Sequence, residues 1–422
     1  MLIPTAPIKF PAMPLISRWV GESDLDRVAD TRLRCYAPAA NLAEDYRLQI
    51  RTDSRAKPGD YLLIEDAAEA VGTATSLSQT MWVRGSPVPC QGVAWVGTIR
   101  TRRRSRVAHS AGIASRLMHE TLRMAREHGQ VLSALMPFRA SFYEHFGYGI
   151  VERQCAWTVP IDILPAGPCD GLRFSETADR AAIAACYQRF VERGHCCIER
   201  NATRWDDINR TNDNGFEIID RPIPTGPVRG VMHYSQYQQD GKDILRVNSH
   251  FADDPAVFLR QLHFMASLKD QYQAVHIRLP ADFPLNWLLT ERQLPHRLVN
   301  HPTAKARPYT KMQVRVLDHI RLLEAMHWPV DVKGSAVIAV HESEGHISKF
   351  RLELDDGHAK AQLTYATADI ECRDTIWGAL VLGDLSANRA NSLSLISLLQ
   401  PDAMHFLNAM SAGPAPYNEE YF

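Results

Sequence analysis

The chain has 422 residues, enough for two or three domains, and its 45% hydrophobic and 23% charged residues exclude a disordered polymer. Lys plus Arg total 47 against 48 for Asp plus Glu, a net charge of −1, which excludes a dedicated polybasic nucleic-acid binder and leaves only local basic patches. No run of about 18 apolar residues occurs, and the first twenty positions are broken by prolines, so neither a membrane span nor a signal peptide is expected. The cysteines at 35, 90, 155, 169, 186, 196, 197 and 372 form no CxxC pair, and the histidines show no ligand spacing. That pattern predicts free thiols in a reducing cytoplasm and no metal site.

In chain order, Ser23–Ala37 carries acids early and arginines late, the charge order that a helix dipole favours. Tyr61–Glu65 and Ala70–Leu77 read as two strands joined by a polar turn, and Gln91–Thr101 as a third, rich in Val, Trp, Ile and Thr. Ile113, Leu117, Met118, Leu122 and Ala125 recur at helical spacing, which predicts a helix over Gly112–His128 stopped by Gly129. Val131–Met136 follows as a buried strand, and Ala140–His145 as a short helix. Together these make an α+β unit.

The Pro- and Gly-containing stretch Pro160–Gly171 reads as a linker. A second unit then shows a helix near Asp179–Arg193, strands near Pro227–Tyr237 and Asp243–Ala252, a helix near Pro255–Asp270 and a strand at Ala274–Leu279. Its outline loosely repeats the first, without an Arg/Gly loop. From Pro302 the character changes to strand alternation at Gln313–His319, Gly334–His341, Gly345–Leu354 and Ala359–Tyr365, followed by helices at Arg373–Leu382 and Asn391–Leu399. These changes divide the chain into 1–157, 158–302 and 303–422.

The chemistry is concentrated in Gly92–Gly149. There a strand runs into a loop holding Arg100, Arg102, Arg103, Arg104 and Arg106, and then reaches Gly112 at the head of a helix. Exposed amides at a helix N-terminus form an anion site, glycine admits a phosphate close to the backbone, and arginines add charge-assisted contacts. A pyrophosphate-bearing ligand such as coenzyme A needs those features. A solvated basic loop, or contact with a nucleic acid, would need only the arginines.

Two segments carry a family resemblance. His109-Ser110-Ala111-Gly112-Ile113-Ala114 resembles the acyl-CoA pyrophosphate loop, [QR]-x-x-G-x-[GA], of the Gcn5-related N-acetyltransferases (GNATs). Phe142-Tyr143-Glu144-His145-Phe146-Gly147-Tyr148-Gly149 resembles the FYxxxGF ending of that superfamily, and more narrowly the IYxRFGYG of the enhanced-intracellular-survival (Eis) family. The loop departs from the family by placing His109, Ser110 and Ala111 where arginines usually precede the glycine.

The resemblance implies a GNAT domain, a second degenerate GNAT-like domain and a C-terminal sterol-carrier-protein-like α+β domain. It implies acetyl-CoA as co-substrate, with Ile99, Arg100 and Thr101 along the pantetheine arm and His109, Ser110, Ala111, Gly112, Ile113 and Ala114 around the pyrophosphate. Tyr143 would protonate the leaving thiolate, and Tyr148 would be structural. Phe138 stands where the family has a cofactor-contacting serine. The chain ends Tyr417-Asn418-Glu419-Glu420-Tyr421-Phe422, and two terminal aromatics predict an end tucked inward. By resemblance, the carboxylate of Phe422 would act as base, while Glu419 and Glu420 read as a solvated acidic pair. The implied acceptor is a small-molecule amine (aminoglycoside, polyamine or lysine-like), with no nucleic acid or membrane partner. Family members assemble as homo-oligomers, hexamers among them. The alternative is a non-catalytic CoA- or lipid-binding protein on a degenerate acetyltransferase fold.

Overall fold

The computed structural model describes residues 15–103, 112–211, 215–297 and 301–422. The first unit comprises β1 (Ile16–Val20), α1 (Leu25–Tyr36), α2 (Ala43–Thr52), β2 (Tyr61–Asp66), β3 (Glu69–Val83), β4 (Ser86–Thr98), α3 (Ile113–Glu127), β5 (Leu132–Leu135), α4 (Ala140–Glu144) and β6 (Gly149–Pro160). The buried stripe of α3 is Ile113, Leu117, Met118, Thr121, Leu122 and Ala125, the predicted period with one threonine added. β3 and β4 meet at Arg84-Gly85, both at positive φ, a two-residue turn whose twist matches the strands it joins.

The second unit comprises β7 (Leu172–Phe174), α5 (Arg180–Arg193), β8 (Cys197–Ile198), α6 (Ala202–Thr211), β9 (Phe216–Asp220), β10 (Gly230–Gln239), β11 (Lys242–Ala252), α7 (Pro255–Ser267) and β12 (Ala274–Pro280). After it come β13 (Lys305–Val316), α8 (His319–Ala325), β14 (Gly334–His341), β15 (Ile347–Asp355), β16 (His358–Leu363), β17 (Ile370–Arg373), α9 (Asp374–Val381), α10 (Ala387–Ser392), β18 (Ile396–Leu398) and α11 (Ala403–Ser411).

One sheet joins both units, in the order β1-β2-β3-β4-β5-β13-β6-β12-β11-β10-β9-β7, with β8 paired to β3. This corrects the expected boundaries. β6 runs past 157 and pairs with β12. β13, expected in the last domain, inserts between β5 and β6. Alternation in a sequence marks a strand but not the strand beside it, so the partner of β13 could not be read. The separate C-terminal sheet has the order β16-β15-β14-β17-β18. The helix expected at Asn391–Leu399 is instead α10, ended by Ser394 at φ 54°, followed by β18 paired to β17. None of the described helices is long and apolar enough to cross a membrane.

α9 ties the C-terminal unit to the large sheet at Gly149. A Cβ on Gly149 would lie 1.8 Å from the Thr375 carbonyl oxygen, so glycine permits this backbone approach. Gly149→Ala is expected to cost about 1–3 kcal/mol through forced displacement of α9, measurable as a lower urea midpoint at unchanged m.

Candidate active site

β4 and β5 run parallel over a short stretch, Cys90–Val93 against Leu132–Leu135, and pair no further. β4 continues to Thr98 against β3 alone, and a bulge sits between Ala94 and Gly97, with Trp95 at φ 55°. The bulge re-aims the strand, so a gap opens between β4 and the end of β5. The strand ends at Thr98, three residues before the expected Thr101. Ile99 is a core residue whose amide donates to the Val71 carbonyl, and Arg100–Arg102 form a 3₁₀ turn. The unpartnered edge of β4 is therefore Ala94–Thr98 and not Ile99–Thr101. Ile99, Arg100 and Thr101 instead line a cleft of about 490 Å³ with Arg34, Ala37 and Glu69.

At the head of α3, Gly112 is the N-cap, with no side-chain cap and no acid in the first turn. Among the described residues, a Cβ on Gly112 would meet nothing within 4 Å, and no acid of the first turn competes for the amides of Ile113 and Ala114. The Ile113 side chain packs over Gly72, whose missing Cβ lets the helix end approach β3. His109, Ser110 and Ala111 lie outside the described residues, as do Arg104 and Arg106. The other arginines of the cluster bind groups of the chain itself. Arg100 donates to the Ala37 carbonyl (2.6 Å), Arg102 pairs with Asp66 (3.3 Å) and Glu69 (3.2 Å), and Arg103 donates to the carbonyls of Cys35 and Thr98 (both 3.4 Å). They fasten α1 and the β2–β3 hairpin to the end of β4.

Tyr143 is 5% exposed, on α4, beside Val93, Leu135, Met118 and Leu122. Burial pushes its phenol up to about 12, and among the described residues its hydroxyl has no hydrogen-bond partner. Phe138 is 76% exposed and packs edge-on against Tyr143 at 5.7 Å. Tyr148 is fully buried and shares a 2.7 Å hydrogen bond with Ser133, a structural role. From β13, buried Arg315 donates to the Phe146 carbonyl at 2.7 Å and so clamps the end of this turn.

The two faces of the sheet differ. Gln91 and Val93 of β4, with Ser133 and Leu135 of β5, face α3 and Tyr143. Val88, Cys90, Leu132 and Ala134 face the opposite core, against which Phe422 packs. The gap past Val93 and Leu135 opens between these faces. Phe422, Arg55, Gln79, Glu199 and Glu420 line a cavity of about 150 Å³ on the second face, where the buried Gln79 Oε1 has no partner among the described residues. Nearby, fully buried Arg32 lies over Trp95 at 4.8 Å and donates to Thr75 Oγ1 at 2.6 Å. Nothing in the sequence singled out Arg32, Gln79 or Trp95, because their significance comes from the bulge and the tail.

The segment ending at Phe422 is docked. The Asn418 amide donates to Glu152 (2.7 Å), its carbonyl accepts from Lys311 (2.9 Å) and Gln154 (3.0 Å), and its side-chain oxygen accepts from the Ile198 amide (3.2 Å). Glu420 is buried between Arg200 (2.6 Å) and Arg204 (2.7 Å), which corrects the reading of Glu419 and Glu420 as a solvated pair. Glu419 accepts from the Tyr417 hydroxyl. The contacts that dock the tail were invisible locally, since Glu152, Gln154, Ile198 and Lys311 are each more than 100 residues away in sequence.

Burial pushes Glu152 up to about 7, against the opposing pull of Lys311 and the Asn418 amide. The folded state therefore binds an extra proton between the unfolded carboxyl pKa, about 4.3, and about 7, so this group's contribution to stability falls as pH rises through that window. Glu152→Gln is expected to remove that fall. Urea unfolding at pH 5, 6 and 7 should give a wild-type-minus-variant stability difference that declines with pH, and a constant difference would refute the assignment.

The second unit repeats the parallel pair, as β11 Ile244–Arg246 against β12 Ala274–His276, but not the open cradle. Only Asp253 and Asp254 separate β11 from α7, and Asp254 caps that helix by accepting from the Val257 amide at 3.0 Å. Where the strands part, Arg278 donates across to the Asn248 carbonyl at 2.7 Å. A carboxylate of the chain itself thus occupies the helix end that a phosphate would need.

Among the described residues, no group of three His, Cys, Asp or Glu could hold a metal ion. Models of the acetyltransferase (GNAT) domain match residues 17–151 and 196–316. The chain is 24% identical over 363 residues to the N-acetyltransferase Eis of Mycobacterium tuberculosis, covering 82% of this chain and 83% of that one. It is 26% identical over 372 residues to an uncharacterized N-acetyltransferase of Streptomyces avermitilis, covering 82% and 84%. Among solved structures it resembles a GCN5-related N-acetyltransferase from Anabaena variabilis (TM-score 0.82, 17% identity) and Eis1 from Mycobacterium abscessus (TM-score 0.78, 19% identity), each over 97% of this chain and 100% of the other. The chain therefore carries two GNAT domains and is an acetyltransferase similar to the Eis enzymes.

Proposed function

We propose that the first unit transfers an acetyl group from acetyl-CoA directly to a primary amine of a small molecule, of aminoglycoside, polyamine or lysine-like type. The observation that carries this reading is the uncapped α3 terminus at Gly112 in the same unit as a splayed strand pair lined by Tyr143. The amides of Ile113 and Ala114, with His109, Ser110, Ala111 and Gly112 by resemblance, would take the pyrophosphate. The free edge of β4 at Ala94–Thr98 would pair with the pantetheine amides as an added strand. The amine nitrogen attacks the thioester carbonyl, the C–S bond breaks, and the Tyr143 hydroxyl protonates the departing sulfur. The proton lost by the amine passes to the Phe422 carboxylate, a role carried over from the family and supported by docking of residues 417–422. Glu152 of β6, Lys311 of β13, and Ile198, Arg200 and Arg204 of the second unit hold this tail against the second face, and we read the C-terminal sheet with its helices as a sterol-carrier-like domain.

Calorimetric titration with acetyl-CoA, repeated on Gly112→Asp, tests the reading. The new side chain would meet no described residue within 4 Å of its Cβ, and its carboxylate beside the helix amides would repel a phosphate. Loss of at least 100-fold in affinity is expected, and unchanged affinity in the variant would remove the cofactor from this site.

A further inference from the structure

The face of the large sheet that the tail covers at Glu152 and Gln154 stays uncovered two residues further on. Hydrogen-bonded register there places side chains in two cross-strand rows. One row runs Arg246, His276, Thr158, Lys305, and the next joins Arg278, Ala156 and Arg307. The rows line a cleft of about 700 Å³. Small residues of β6 form its floor, and cations stand on both walls, across three strand spacings or roughly 14 Å.

Three of the cations in this cleft, Arg246, Lys305 and Arg307, are uncompensated among the described residues. Elsewhere in the second unit arginines are paired: Arg173 with Asp179, Arg180 with Glu217, Arg189 with Asp253 and Arg260 with Asp220. Arg246, Lys305 and Arg307 have no carboxylate partner among the described residues, and no acid lines the cleft. Arg246 rests on the Tyr237 ring at 4.1 Å, which positions its guanidinium without neutralising it. A concave surface lined by one sign of charge focuses its field on a counter-ion, and an anion would relieve the mutual repulsion of the cations.

We infer that this cleft is a second binding site, for a multiply charged, phosphate-bearing small molecule. It is separate from the acetyl-donor site: it lies on β11, β12, β6 and β13, and the sheet face opposite α7 holds it. Two wall clusters about 14 Å apart suit a ligand with several phosphate charges better than a single phosphate.

Inorganic tripolyphosphate is the probe. Titrated calorimetrically into Gly112→Asp, which removes the α3 anion site from competition, it should bind once per chain, more weakly as salt rises. Adding Arg246→Ala and Arg307→Ala should weaken binding at least tenfold, whereas adding Arg51→Ala and Arg123→Ala, at exposed arginines elsewhere, should not. In the otherwise wild-type chain, the Arg246→Ala/Arg307→Ala pair should abolish one site. The assignment is overturned if the probe does not bind, if both pairs weaken it equally, or if the first pair instead dissociates an oligomer in sedimentation with no effect on the probe. The last outcome would make this face an interface between copies. None of these outcomes depends on acetyl transfer.

Discussion

Tyr143→Phe is expected to lower kcat by about 10²–10³-fold while leaving acetyl-CoA affinity within about twofold. The substitution removes one oxygen from a ring held by Phe138, Phe142 and Tyr148, so packing is kept. Since the hydroxyl has no protein partner among the described residues, its loss leaves no buried group unsatisfied, and the melting temperature should barely move. A pKa of about 12 keeps the phenol protonated throughout the assay range, ready to donate as negative charge develops on sulfur. The wild-type rate should therefore show no decline from this group up to about pH 10. A variant with unchanged kcat in stopped-flow single turnover would assign the proton transfer to another group.

Arg200→Ala is expected to cost about 3–5 kcal/mol, because it strands a buried carboxylate. Side chains of Arg200 and Glu420 are each 7% exposed and meet at 2.6 Å, and Arg200 also lies over the Tyr187 ring at 4.0 Å. Burial alone would raise the Glu420 carboxyl, but Arg200 and Arg204 outweigh it and hold it below its usual value. Arg204 is more exposed and does not replace the lost partner. As Glu420 lies two residues before Phe422, the variant should also loosen the tail, with faster hydrogen exchange over 412–422 and a lower kcat/KM. Neutralising the stranded acid in Arg200→Ala/Glu420→Gln should recover part of the stability. A loss below about 1 kcal/mol in Arg200→Ala would show that this pair contributes little.

Much of the first unit was legible because its signals are local. The α3 stripe from Ile113 to Ala125 and the FYEHFGYG segment each lie within a few turns of chain, and the structure sets Gly112 and Tyr143 on the expected elements. Some local signals went unread. Asp240-Gly241 and Asp356-Gly357 both form two-residue hairpin turns at positive φ, as their dipeptides imply. The intramolecular partners of the arginine run could not be read, because charge in a sequence does not name its partner. Arg102 pairs with Asp66 and Glu69 of the neighbouring hairpin.

The sequence by itself determined the order of the elements, through periodicity, and the acetyltransferase plan with the glycine and tyrosine of the proposed site, through the resemblance of short motifs, since both signals act over neighbouring residues. The tertiary structure decided where β13 pairs, that Ile99 belongs to the core, that Glu420 is buried between two arginines and that a basic face is left open on the second unit. Each of these is a contact between residues far apart in the chain. Such contacts form only when the whole sheet closes, because the entropy of bringing distant segments together is met by the combined burial of many side chains and not by any one local preference.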